Sequence, residues 1–275
     1  MIKPMLARSY TGDLPAGNWA WQIKYDGVRA IFSGGTLYSR TGNPFSAPKN
    51  WLDKLTQLEL DLGSAIDGEL VLTSHIRKPC VGDFQEVASI VRRKECNESL
   101  WENLTYVIFD IAHPGLSTDQ RHWALNHYIA RIPNFAKAVR TNWEYTAPLD
   151  EGNINRILQD VVKDGYEGIM LKNLDGDKYL QGKRSKDVLK VKPYHDSEFL
   201  VKGAVEGLGK YKGMLGALVC ESPYGDFKVG SGFTDQERTV PAERWLGSLI
   251  TVKYMGTTKS GIPRQPIFVS VRDYE

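Results

Sequence analysis

The sequence predicts an α+β chain in two parts. Residues 1–193 form a domain of antiparallel sheets and helices, and residues 194–275 form an all-β domain. Three observations carry this. Short apolar or β-branched runs bounded by glycine turns recur along the whole chain. Three stretches with helical spacing interrupt them, all before residue 193. Beyond Pro193 the pattern reduces to five short strand-like runs separated by glycines.

In chain order, residues 19–23 and 30–32 are apolar or aromatic and suit strands, with Gly27 supplying a turn between them. Ala65-Ile66 and Leu70-Val71-Leu72 read as one strand with Asp67-Gly68-Glu69 at its break. Residues 83–94 read as a helix capped by Asp83, with Phe84, Val87, Ala88 and Val91 on one face. Arg92-Arg93-Lys94 then suits that helix's C-terminal dipole. The run Val107-Ile108-Phe109 reads as a buried strand. Helices are expected over 118–132, ending at Pro133, and over 153–163, stopped near Gly165. In the second part, strands are expected at 199–201, 217–220, 227–229, 249–254 and 267–271, with a short helix inside 234–244. Five such strands fit a small barrel of the OB-fold kind.

Composition sets limits. Of 275 residues, 41% are hydrophobic and 25% charged, as in ordinary globular proteins. The net charge is only +2, so a nucleic-acid surface has to come from local clusters. Those available are Arg40, Arg92-Arg93-Lys94, Lys183-Arg184-Ser185-Lys186 and Lys210-Tyr211-Lys212. Cys80, Cys96 and Cys220 lie far apart, which argues for reduced thiols rather than a disulfide framework or a zinc site. The five histidines form no ligand array; His122 and His127 share a predicted helix but lack partners. No apolar run is long enough to span a membrane, and no signal-peptide core opens the chain, so a cytoplasmic setting is expected.

The chemistry-bearing stretch is Gln22-Ile23-Lys24-Tyr25-Asp26-Gly27-Val28-Arg29. A lysine held at a strand-turn becomes a nucleophile if neighbouring cations or a metal favour its neutral form. Alone, the tetrapeptide from Lys24 to Gly27 is a weak signal that fits an exposed hairpin lysine better than a nucleophile. Downstream come Ser39-Arg40-Thr41-Gly42, Asp67-Gly68-Glu69, residues 106–111 around Phe109, Glu167-Gly168-Ile169-Met170-Leu171-Lys172 and Leu189-Lys190-Val191-Lys192-Pro193. Acids beside strand edges can bind ribose hydroxyls or a hard cation. Lys190 and Lys192 alternate with Leu189 and Val191, which puts both on one strand face, fit for a polyphosphate.

Taken together, the order and spacing of these six motifs resemble the covalent nucleotidyltransferases, and among them the minimal ATP-dependent DNA ligases. The resemblance extends past Pro193 through Lys210-Tyr211-Lys212-Gly213 and Gly230-Ser231-Gly232-Phe233. It implies an adenylation domain followed by an OB domain that seals nicks in duplex DNA, with ATP and Mg²⁺ (Mn²⁺ as an alternative). Lys24 is then the nucleophile that becomes lysyl-AMP, with Asp26, Arg29, Lys190 and Lys192 in the catalytic set. Gln22, Ile23, Arg29, Glu69, Phe109, Glu167, Lys190 and Lys192 surround the nucleotide, Phe109 by stacking on adenine. Glu69 and Glu167 are the expected metal ligands. Arg29 and Arg40 are expected at phosphates and the ribose edge, and Arg184 at the nick 5′-phosphate. Arg40, Arg92, Arg93, Lys94, Arg184, Lys210 and Lys212 are the expected DNA contacts.

The family's closing Arg-x-Asp-Lys is not matched by Val271-Arg272-Asp273-Tyr274-Glu275, so Arg272 stands as the candidate to orient pyrophosphate, against a plain surface arginine. Few residues precede Lys24, which argues against NAD⁺ as the adenylate donor. No long insertion separates the strands near 217–220 and 227–229, so a monomer that does not encircle DNA is expected. An RNA ligase or an mRNA-capping guanylyltransferase shares the scaffold and stays open as an alternative. A non-catalytic nucleic-acid-binding module is disfavoured by the intact set of Lys24, Glu69, Glu167 and Lys190.

Overall fold

The computed structural model of the protein describes residues 2–74, 84–128, 133–134, 136–138, 149–176, 178–258 and 260–272. The chain divides into two compact units, residues 1–192 and 193–275.

Two sheets build the first unit. One has the order β1-β9-β8-β2, from β1 (Leu6–Ser9), β2 (Trp19–Lys24), β8 (Gly168–Asn173) and β9 (Arg184–Val191). The other has the order β4-β3-β5-β6-β7, from β3 (Val28–Ser33), β4 (Thr36–Ser39), β5 (Ile66–Leu72), β6 (Leu104–Ile111) and β7 (Ala136–Ala138). Gly27 sits where the chain leaves β2 for β3, and a Cβ there would collide with the Leu70 carbonyl oxygen. That close approach, rather than an unusual φ, is what requires glycine.

Helices cover the outer face of the five-stranded sheet. They are α1 (Lys49–Leu62), α2 (Phe84–Val91), α3 (Glu98–Trp101) and α4 (Thr118–His127). Trp51, Leu55, Leu58 and Leu62 of α1 recur at helical spacing, and all are buried against that sheet's core. Each fully buried leucine contributes roughly 1.5–3 kcal/mol. Trp51 and Trp101 meet edge-to-face with centroids 5.1 Å apart. A fifth helix, α5 (Glu151–Lys163), is capped by Asp150 and packs Ile154 and Val161 onto the four-stranded sheet.

Several expectations shift in detail. The helix expected over 83–94 ends at Val91, so Arg92, Arg93 and Lys94 follow the helix instead of closing it. Asp83, its expected cap, lies outside the described residues, as do Cys80 and the end of the helix expected over 118–132. That helix, α4, begins in a full capping box between Ser117 and Gln120. Neither α1 nor β1 was expected; β1 pairs with β9 in parallel, Leu6 opposite Arg184 and Ser9 opposite Lys190, although most of the unit's sequence separates them.

The second unit is a five-stranded sheet of order β12-β11-β10-β13-β14. Its strands are β10 (His195–Glu206), β11 (Leu215–Cys220), β12 (Phe227–Val229), β13 (Leu249–Tyr254) and β14 (Ile267–Val271). The strand ladders are antiparallel, with one isolated parallel bridge from Ser231 to Ile267, and Phe199, Val201, Leu218, Val229, Ile250, Val252 and Phe268 fill the interior. The first strand runs well beyond the expected 199–201. The helix expected within 234–244 splits into α6 (Asp235–Arg238) and a 3₁₀ turn, Ala242–Arg244, with Pro241 between them. β11 and β12 are joined by a tight turn in which Ser222 Oγ donates to the Gly225 carbonyl. Among the described residues, no helix is long and apolar enough to cross a membrane.

Candidate active site

Strand register assembles the site across the two sheets of the first unit. Lys24 ends β2 opposite Gly168 of β8. Gly168 has φ +150°, and a Cβ there would strike the Val191 carbonyl. This lets Glu167 sit immediately beside the end of β2. The Glu167 carboxylate takes an ion pair from Lys24 through one oxygen and from Lys192 through the other. Burial pushes the Glu167 carboxyl up, but the two ammonium groups outweigh it and the net direction is down. Lys190 and Lys192 are both half-buried, alternating with the buried Leu189 and Val191. Burial, then Lys192, Arg184 and Lys24, lowers the pKa of Lys190.

The five-stranded sheet supplies the opposing wall. Arg29 of β3 lies opposite Glu69 of β5, which lies opposite Val107 of β6. β5 is buried throughout except at Glu69. Burial raises the Glu69 carboxyl to about 7, although Lys24 and Arg29 pull the other way. The ladder between β5 and β6 slips between Asp67 and Gly68: Asp67 pairs with Asp110 and Gly68 with Ile108. Phe109 is thus the extra residue of a β-bulge. Tyr106, Ile108 and Ile111 all join the outer core, a spacing that only a bulge permits. Phe109 instead joins Ile23, Tyr25, Val71, Val107 and Tyr166 in a small cluster drawn from both sheets.

Three side chains outside the expected site set hold Arg29 and Phe109 in place: Asp67 and Lys172, which lie within the motifs, and Tyr179, which the sequence does not mark. Asp67 binds Arg29 through Nε at 2.6 Å and Nη2 at 2.5 Å, and accepts from the Tyr179 hydroxyl at 2.5 Å. Arg29 also donates to the Met5 carbonyl, and its guanidinium lies 4.6 Å from the Phe109 ring centroid. Lys172 of β8 donates to the Phe109 carbonyl oxygen at 2.7 Å, tying one sheet to the bulge of the other.

Around Lys172 is a buried charge network. Asp110 accepts from Arg121 Nε at 2.7 Å and faces Lys172 at 3.5 Å. His122 Nε2 lies 3.3 Å from Lys172 Nζ. A partner of His122 is thus a lysine rather than another metal-ligating side chain. Lys172, the last residue of the motif opened by Glu167, is itself buried, only 3% exposed. Burial and the facing Lys172 ammonium lower the His122 imidazole to about 3, so it is neutral. Burial also lowers Lys172, against the pull of Asp110.

The remaining expected residues fall outside this centre or on its edge. Gln22 is buried on β2, and Asp26 lies half-exposed in the turn to β3. Arg40 is exposed at the end of β4, between Ser39 and Thr41, whose hydroxyls are 3.1 Å apart. Arg92 lies over Phe84, and Arg93 and Lys94 are exposed. Arg184 is exposed and donates to the Ala7 carbonyl. In the second unit, Lys210 and Lys212 are exposed on the loop after β10, while Arg272 is engaged by Glu198 at 2.6 Å. Asp273, Tyr274 and Glu275 lie outside the described residues.

A nucleophile-type lysine flanked by carboxylates, cations and an out-turned aromatic suits nucleotide chemistry on either a DNA or an RNA substrate. Comparison with known proteins narrows this. Residues 4–192 match the family model described as an ATP dependent DNA ligase domain, and residues 206–272 match a DNA ligase OB-like domain.

The chain belongs to the ATP-dependent DNA ligase family.

Relatives agree. The DNA ligase of Haemophilus influenzae is 30% identical over 260 residues, covering 94% of this chain and 88% of that protein. The multifunctional non-homologous end joining protein LigD of Pseudomonas aeruginosa is 31% identical, and this chain spans 35% of its length. A solved structure from a study of DNA binding with a minimal scaffold by Lig E DNA ligases has 32% identity and a TM-score of 0.78. The match covers 99% of this chain and 100% of that one. As a DNA ligase the protein seals nicks with ATP and a divalent metal, and the RNA-ligase and capping-enzyme alternatives fall away.

Proposed function

We propose that this ligase works through lysyl-AMP formed on Lys24. The Lys24 amine, having lost its proton, attacks the α-phosphorus of ATP. A P–N bond forms, the P–O bond to pyrophosphate breaks, and pyrophosphate leaves. The 5′-phosphate of the nick then attacks the same phosphorus and frees the lysine. Attack of the 3′-hydroxyl on the activated 5′-phosphate closes the strand and releases AMP. Positioning and charge neutralisation do most of the work in such transfers.

The observation that carries this reading is the Glu167 carboxylate held between Lys24 and Lys192. It keeps the nucleophile beside a second cation suited to the α-phosphate. Lys190 adds a third positive group near the same place. Arg29, anchored by Asp67 and backing Phe109, supports a role at the nucleotide's ribose and base rather than as a free phosphate ligand. Phe109 and Ile23 offer the apolar surface for adenine.

The residues present also fit a divalent cation. Glu69 and Glu167 are hard oxygen donors, too few to hold an ion without the oxygens of a polyphosphate, which is the usual situation for Mg²⁺. Bound there, it would neutralise triphosphate charge and draw Glu167 away from Lys24, freeing the amine. DNA is held by phosphate contacts from Arg40, Arg92, Arg93, Lys94, Arg184, Lys210 and Lys212, by a monomer in the cytoplasm, without sequence preference.

The test is label transfer. Incubation with ATP labelled at the α-phosphate, and Mg²⁺, should give a labelled protein, and Lys24→Ala should give none. The variant should still seal a pre-adenylated nick to some extent, because the last step needs no new lysyl-AMP. Label retained by Lys24→Ala would overturn the assignment.

A further inference from the structure

The loop between β10 and β11 carries Lys210 and Lys212, and it is built more rigidly than a surface loop requires. Four backbone bonds close it: Gly207 to Met214, Tyr211 to Leu208, Lys212 to Gly209, and Met214 to Tyr211. Glu206 accepts from the Gly213 amide at 2.8 Å. Beneath the loop lies Arg238, the last residue of α6, with 7% of its surface exposed.

Burying an arginine without a carboxylate partner is costly unless its donors are used. Among the described residues, backbone carbonyls rather than carboxylates take them. Nη1 donates to the carbonyls of Leu215 at 2.8 Å and Gly216 at 3.1 Å, and Nη2 donates to that of Gly230 at 2.9 Å. Nε is buried without a hydrogen-bond partner. The guanidinium face lies 4.4 Å from the centroid of Tyr211. Lys210 Nζ lies 4.4 Å from the same centroid, and the Tyr211 hydroxyl donates to Asp235 on the helix that carries Arg238.

A hydrophobic residue would fill this space without a buried cation. What the arginine adds is direction: a flat group fixed by three carbonyls, on which the Tyr211 ring rests, with one lysine on that ring and another beside it. We infer that Arg238 is a positioning residue for DNA: it never meets the duplex, but it sets the platform that presents Lys210 and Lys212 to adjacent phosphates. The inference rests on the reading that these two lysines contact DNA.

The experiment uses the full chain and a nicked duplex, with nick affinity measured at several salt concentrations, adduct formation with ATP, and thermal melting. Arg238→Lys keeps the charge but loses the planar fork; Arg238→Met keeps the bulk; Tyr211→Leu removes the platform and leaves Arg238 in place. All three should weaken nick binding about tenfold at temperatures where they remain folded. All three should flatten the slope of log affinity against log salt by about 1–2, the loss of one or two phosphate contacts. Adduct formation should stay within twofold of the unmodified chain. A merely structural arginine would lower the melting temperature and leave the salt slope unchanged, which would overturn the proposal. Full rescue by Arg238→Lys would also overturn it, since the charge itself would then be what matters. A Lys210→Ala, Lys212→Ala double variant that binds nicks normally would remove the underlying reading, and the proposal with it. Unaltered Arg238 and Tyr211 variants beside a weakened lysine pair would remove the proposal alone.

Discussion

Acid should loosen this ligase through one buried imidazole. His122 lies against Lys172 and is 2% exposed, and its folded pKa is about 3 against an ordinary 6.5. A depressed histidine binds its proton in the unfolded chain first. Its contribution to stability is therefore complete above pH 6.5 and is lost as pH falls toward 3. At pH 5, about 1.5 pH units below the unfolded value, the loss is about 2 kcal/mol, at about 1.4 kcal/mol per unit. The groups facing His122 do not reverse this. Asp110 is held below its ordinary carboxyl value of 3.8, so it stays ionised in both states at pH 5. Lys172, though lowered from 10.5, and Arg121 bring positive charge that opposes protonation. Glu69, raised from 4.5 to about 7, contributes with the opposite sign between those values. Comparison with His122→Gln cancels that contribution, because both proteins keep Glu69. Urea unfolding of both proteins at pH 7.5 and pH 5 is the assay. The stability of the unmodified chain relative to His122→Gln should fall by about 2 kcal/mol over that interval. A gap that stays constant or widens would refute the neutral buried imidazole, and with it the account of how Lys172 is held at the Phe109 carbonyl.

Three further outcomes follow from the site. Phe109→Ala should raise KM for ATP about tenfold, within the range expected from losing 1–3 kcal/mol of base stacking, and Phe109→Trp should restore it; steady-state adduct formation reads this, and an unchanged KM argues against stacking. Lys190→Ala should slow adduct formation while nick affinity stays within twofold, and raising the pH from 7 to 9 should recover part of the rate. Absence of that recovery would leave Lys190 a positioning role only. Nick affinity should fall at least tenfold between about 50 and 200 mM salt, and charge reversal at Arg92, Arg93 and Lys94 should weaken it without touching the adduct. A flat salt profile would count against phosphate-dominated binding.

The sequence by itself determined the motif residues, most strands and the change of character after Pro193. These are local properties. A lysine, an aspartate and a glycine within four residues declare a turn after a strand, and period-two alternation marks a face, whatever the rest of the chain does. The five runs of the second unit read clearly because each is short, apolar and bounded by turn residues.

Tertiary structure decided which of these residues meet. Lys24 and Glu167 are 143 positions apart, and only the pairing of β2 with β8 joins them. Asp67 and Glu69 look like equivalent acids in sequence. Register makes one the anchor of Arg29 and leaves the other partly buried on the site's wall. Lys172 merely closes the motif opened by Glu167 in sequence, yet it is buried and spans two sheets. The bulge at Phe109 leaves no compositional mark, because it is a slip between two strands. Alternation from Val107 already faces Phe109 toward the site; the slip returns Ile111 to the outer core, and a local pattern cannot specify that without its partner strand.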